Sequence, residues 1–169
     1  ALLLNANQFG DEGALTLAEG LANNQSLEEF GLASNGLGSR GLTAILTAVE
    51  GHSTLRRLDL GYSLSTKVLG ASANDLGEAG SEAVARLLGR KTKLRHLDLT
   101  RAGLTAAGRS ELARVLAGNT TLHELILDGK LPQEIREFLE RNRKLVSPVE
   151  IPEAVRLIRS VYRTAARKT

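Results

Sequence analysis

The sequence predicts an α/β fold: a right-handed solenoid with parallel strands on its concave face and helices on its convex face. Four segments align with one another: LEEFGLASNGLGSRG from Leu27, LRRLDL from Leu55, LRHLDLTRAGLTAAG from Leu94 and LHELILDGKL from Leu122. A partial copy, LLLNANQFGDEG, opens the chain. The leading leucine recurs at 27, 55, 94 and 122, at intervals of 28, 39 and 28 residues. Gly13, Gly41, Gly80 and Gly108 keep the same intervals. Two independent markers with one period are the signature of a repeat architecture.

The elements follow in order within each unit. Leu-x-x-Leu-x-Leu is a period-two run, which places its apolar residues on one face of a short strand. These are Leu27, Phe30 and Leu32 in the second unit, and Leu94, Leu97 and Leu99 in the fourth. Asn7, Asn35 and Asn74 come after the strands, where a side-chain amide can bond backbone that has left the ladder. A glycine-containing turn leads into a helix. Ala44, Leu46 and Val49 have helical spacing, as do Val84, Leu87 and Leu88, and Leu112, Val115 and Leu116. Asn24, His52 and Asn119 share one slot near the helix ends, so His52 reads as structural. Units of this kind bury their leucines only by stacking, at about 1.5–3 kcal/mol for each buried leucine. Helices are wider than strands, so the stack bends with the strands inside.

The expected organisation is a repeat domain over 1–145, with units at about 1–26, 27–54, 55–93, 94–121 and a capping unit at 122–145. Ala102 and Lys130 replace the asparagine in the last two units, as at the end of a stack. Pro132 fits the first turn of a shortened helix, made polar by Glu134, Arg136, Glu137, Glu140 and Arg141. The third unit holds an insertion over 61–73, GYSLSTKVLGASA. It is expected to leave the strand where the inner face meets the rim. Tyr62, Val68 and Leu69 then extend a binding rim, as a segment separable from the fold.

Composition limits the chemistry. The chain has no cysteine, so disulfides, thiolate metal sites and a cysteine nucleophile are excluded. Aromatic residues are only 3%, so the core is built from Leu, Ala, Val and Ile. The three histidines fall in different units without a nucleophile or metal constellation beside them. The expectation is therefore no enzyme, no cofactor and no metal. GRKT at Gly89 lacks the glycine spacing of a phosphate loop. The formal charge is +3. From 152 to 169 five basic residues face one acid, whereas the remaining 151 residues hold 17 basic and 18 acidic side chains. A basic amphipathic helix is expected over 146–169, with Arg156, Arg159, Arg163 and Arg167 flanking Val155, Ile158, Tyr162 and Ala165.

The repeats resemble the ribonuclease-inhibitor-like class of leucine-rich repeats, on NQFGDEGALTLAEGLANNQSL and NDLGEAGSEAVARLLGRKTKL. The resemblance covers roughly 1–145. It implies that a macromolecule binds on the exposed strand face. The relatives it brings in include ribonuclease inhibitor, innate immune sensors, the Ran GTPase-activating protein, tropomodulin and bacterial effectors. The strand residues that alternate with the leucines form three outward columns: Ala1, Glu29, Arg57, His96 and Glu124; Leu3, Gly31, Asp59, Asp98 and Ile126; Asn5, Ala33, Gly61, Thr100 and Asp128. Glu29, Arg57, Asp59, Tyr62, His96, Asp98, Arg101, Glu124 and Asp128, with Val68 and Leu69, are the expected partner contacts. The alternative reading is that Leu-Asp-Leu is the ordinary pattern of such repeats, with any cross-strand arginine–aspartate pairs left in solvent.

The expected function is a protein-interaction module, part of a larger bacterial protein or effector, in the bacterial cytoplasm or secreted into a host. The alternatives are a GTPase regulator of the Ran type, or contact of the tail with nucleic acid or membrane, which its few charges and single aromatic disfavour. Self-association through the open N-terminal edge is a further expectation.

Overall fold

The computed structural model describes residues 1–145; the helix expected over 146–169, with Arg156, Arg159, Arg163 and Arg167, lies outside the described residues. Five short strands alternate with five helices. They are β1 (Leu2–Leu3), α1 (Gly10–Ala22), β2 (Glu29–Gly31), α2 (Ser39–Val49), β3 (Arg57–Asp59), α3 (Gly77–Gly89), β4 (His96–Asp98), α4 (Ala106–Gly118), β5 (Glu124–Ile126) and α5 (Gln133–Leu145). A 3₁₀ segment, Leu64–Leu69, stands between β3 and α3. The strands form one parallel sheet in sequence order. Every strand is in register with the next, Glu29 beside Arg57, Arg57 beside His96 and His96 beside Glu124. Each helix packs on the helix of the neighbouring unit.

The core lies between sheet and helices. Phe30, Leu58 and Leu97 come from the strand centres, and Leu32, Leu60 and Leu99 from the strand ends. Val84, Leu87, Leu88, Leu112 and Leu116 meet them from the helices. In α2 the inward face belongs to Leu42, Ile45, Leu46 and Val49, whereas Ala44 sits at its flank. The recurrent glycine is explained by close approach. A Cβ on Gly108 would lie 2.5 Å from the Cβ of Ser81, so a larger residue would force α3 and α4 apart.

The turn asparagines stitch the units together. Asn74 is fully buried, and its Nδ2 donates to the carbonyls of Leu32 and Leu60 at 2.9 Å each. Its Oδ1 accepts from the N–H groups of Asn35 and Leu37. Asn35 in turn donates to the carbonyls of Leu4 and Ala33. Asn7 is exposed and bonds only within its own unit. His52 does fill an asparagine slot. Its Nδ1 accepts the N–H of Leu55, as Asn24 Oδ1 accepts that of Leu27 and Asn119 Oδ1 that of Leu122.

Two expectations change. Helix α5 is not shortened: it has 13 residues, as α1, α3 and α4 do. Arg141 holds α5 in place by donating to the carbonyls of Ala117, Leu116 and Asn119 at the end of α4, while buried Asn142 donates to Leu122. The insertion is also not an appendage. Ser34 Oγ bonds both Ser63 N–H and the Thr66 hydroxyl, and Gly36 N–H donates to Ser72. The loop is therefore fastened over the turn of the preceding unit.

Two outcomes follow for the full chain. Asn74→Ala strips four buried backbone groups of their partner, each costing about 1–3 kcal/mol. Urea unfolding should show a loss of about 4 kcal/mol or more, against under about 1 kcal/mol for Asn7→Ala. His52 is buried, and desolvation lowers its pKa below the ordinary 6.5. The unfolded chain then takes up the proton first, so stability is full above 6.5 and falls as pH drops from there toward the lowered value. His52→Asn, which keeps an acceptor, should flatten that slope in unfolding curves collected across this range.

Candidate interaction site

The sheet turns one face to the helices and leaves the other open. Parallel register places like positions of successive units side by side, about 4.8 Å apart. On the open face Arg57 pairs with Glu29, Nε to Oε1 at 3.1 Å, and His96 Nδ1 meets Glu124 Oε2 at 3.0 Å. The side-chain pairs of this face thus run within the first column. The aspartates of the second column fold back on their own strands instead. Asp59 Oδ1 accepts the N–H of Gly61, and Asp98 Oδ1 that of Thr100.

This folding back requires a small neighbour. A Cβ on Gly61 would stand 2.9 Å from Asp98 Oδ1. For the same reason Gly31, Ala33 and Gly61 are buried, although the outward columns were expected to be exposed there. Asn5 covers Gly31, and its Oδ1 accepts the N–H of Ala33.

Where β3 and β4 end, the insertion closes one side of a groove of about 440 Å³. Asp59, Asp98 and Thr100 line its floor region, Tyr62 and Leu64 come from the loop, and Arg101 stands at the rim. Four of the expected contact residues, Asp59, Tyr62, Asp98 and Arg101, therefore share one concavity. Glu29, Arg57, His96 and Glu124 lie on the same face beside it. Asp128 supports the rim rather than the groove: both its carboxylate oxygens accept the N–H of Arg101 at 3.0 Å. Val68 and Leu69 project from the loop at 88% and 65% exposure, and Leu64, which the sequence reading passed over, at 59%. Its signal was present: it is a third leucine-class side chain in the segment already singled out for Val68 and Leu69.

The backbone at Arg101 is left-handed, with φ of 52°. Ala6, Ser34 and Gly129 occupy the same turn position in their units, with φ of 59°, 60° and 74°. Glycine is the unstrained choice there, and a long branched side chain costs about 1 kcal/mol or more. Asp59 is electrostatically loaded as well. Burial first, then the carboxylate of Asp98, push its pKa above the ordinary 3.8, against the opposing pull of the Gly61 N–H and His96.

A family model for leucine-rich repeats matches residues 23–46 and 90–113. The chain folds as a leucine-rich-repeat solenoid. Among solved structures it is similar to the actin-binding site 2 of leiomodin-1, with TM-score 0.69, 23% identity and coverage of 84% of this chain and 80% of that one. It is also similar to the tropomodulin C-terminal domain of Caenorhabditis elegans, with TM-score 0.61, 22% identity and coverage of 86% of each chain. At such identities the likeness is one of fold. No curated protein matches the chain in sequence.

Asp98→Asn should lower the pKa of Asp59, because it removes the neighbouring charge while an amide oxygen can still accept from Thr100. A carboxyl titration followed by NMR reads the change. The raised pKa means that the stability Asp59 contributes is present below 3.8 and is lost as pH rises through the folded value.

Proposed function

We propose that this solenoid is a protein-binding module that engages its partner through the groove at the β3 and β4 ends and the 61–73 loop, with the 1–145 repeat domain as the binding unit. One observation carries the reading. Leu64, Val68 and Leu69 are exposed on a loop that is hydrogen-bonded to the neighbouring unit, beside a concavity lined by Tyr62, Asp59 and Asp98. Large apolar side chains held outward on an anchored segment mark a contact surface. Charge beside them fixes orientation and selects the partner.

The reading is of binding rather than catalysis. Its finer parts rest on narrower support. The 28-residue period supports the ribonuclease-inhibitor-like class of repeat, and the Ala-, Gly- and Arg-rich composition supports a bacterial source. β1 pairs with β2 alone among the described strands and exposes Leu3, which supports self-association through that edge. Actin is the first partner to try, because the leiomodin-1 domain of the same fold is an actin-binding site.

Filament pelleting tests actin directly. For any partner captured on the full chain, Val68→Ser with Leu69→Ser should weaken binding at least about tenfold. Arg101→Gly should raise the unfolding free energy by about 1 kcal/mol while weakening the same interaction. A variant that is stabilised yet binds as well as the parent would remove Arg101 from the site. Equal binding by the loop variant would remove the loop.

A further inference from the structure

At the other edge of the sheet, where the strands begin and the helices end, cations gather without counter-ions among the described residues. Arg56, Arg95 and His123 are the second residues of successive Leu-x-x-Leu runs. The ladder sets them side by side: Arg95 N–H donates to the Arg56 carbonyl and His123 N–H to that of Arg95, each at 2.8 Å. Arg143, near the end of α5, closes on the same place, since Arg95 and Arg143 both help to hold the His123 pKa down, after burial. Lys91 and Lys93 lead into β4 and line a shallow recess beside it. None of Arg56, Lys91, Lys93, Arg95 and Arg143 forms an ion pair among the described residues, although eight such pairs involve other residues. Glu28, in the preceding unit, ends the row.

Helix dipoles account for cations at helix C-termini, and so for some of this charge. They do not account for Arg56 and Arg95, which stand on the ladder. Like charges directly opposite one another in a sheet are destabilising. Their retention at adjacent register positions, in a repeat body whose total charge is balanced, leaves an edge that gains on meeting an anion. We propose that this edge is a second interaction surface, separate from the groove, that takes an acidic stretch of polypeptide. An extended chain laid across the strand starts presents carboxylates about 7 Å apart on one side, and the forked guanidinium groups of Arg56 and Arg95 fit carboxylates in pairs. Single-stranded nucleic acid is the lesser fit, because among the described residues no aromatic side chain stands with these cations to stack on a base.

The test uses the full chain and a fluorescent oligoglutamate peptide, followed by anisotropy at two salt concentrations. Binding should weaken with salt. The double variant Arg56→Glu, Arg95→Glu should lose at least about tenfold in affinity with residues 146–169 left unchanged. The folded state is checked by circular dichroism, and Arg101→Gly should bind the peptide as the parent does. In the parent, the ring resonances of His123 should shift as the peptide is added. Absence of binding, or equal binding by the double variant, overturns the proposal. So does tighter binding, at equal anionic charge, of duplex DNA or phosphatidylserine vesicles through Arg56 and Arg95, which would assign the edge to phosphate.

Discussion

The amide of Asn74 donates to carbonyls in two successive units and accepts from two N–H groups in one of them, out of reach of water. A strand that lasts three residues cannot satisfy the backbone of the turn that follows it. Something else must, because buried backbone groups without partners are expensive. Among the first three units the asparagine does so across the unit boundary, and thereby fixes how far one unit sits from the last. The leucines provide the driving force for stacking, but they are non-directional. The amides set the register there, and the parallel ladder carries it on to β4 and β5, where Ala102 and Lys130 take the asparagine's place.

With register fixed, chemistry at one position is repeated at a fixed spacing. This explains why charges pair along columns. Glu29 and Arg57, and then His96 and Glu124, are neighbours because they hold equivalent places in adjacent units. Asp59 and Asp98 are neighbours for the same reason, but with like sign, and each turns to the N–H two residues on in its own chain. The groove owes its polarity to that arrangement and its apolar wall to the loop.

Much of this was legible in the sequence. The interval of 28 residues specified parallel strands, the order of elements and the placement of helices on one side. It also placed Asp59, Tyr62, Asp98 and Arg101 near one another. What the period could not convey was the conformation of side chains within a column. Arg57 had a choice of carboxylates, and the pairing was settled by which of them was already engaged with backbone. Nor did the period convey burial at Gly31, Ala33 and Gly61, which depends on Asn5 and Asp98 lying flat over them. The inserted loop had no counterpart in other units, so its attachment to Ser34 and Gly36 lay beyond any pattern. The row formed by Arg56, Arg95 and His123 was readable in principle, since its members recur at the unit interval. Its members stand just before each strand, outside the alternation that marks the open-face columns.

The same attachment alters how the stack behaves as a chain of parts. In a simple solenoid each unit touches only its neighbours, and loss of order can advance by one unit at a time. Here the segment after β3 reaches back and is bonded to the turn of the unit before it, while Asn74, from beyond the loop, is bonded to both. The second and third units are thereby merged into one cooperative block. Fraying from either end is then expected to slow at this block, whose loop and β3 form one side of the groove, with β4 of the fourth unit forming the other.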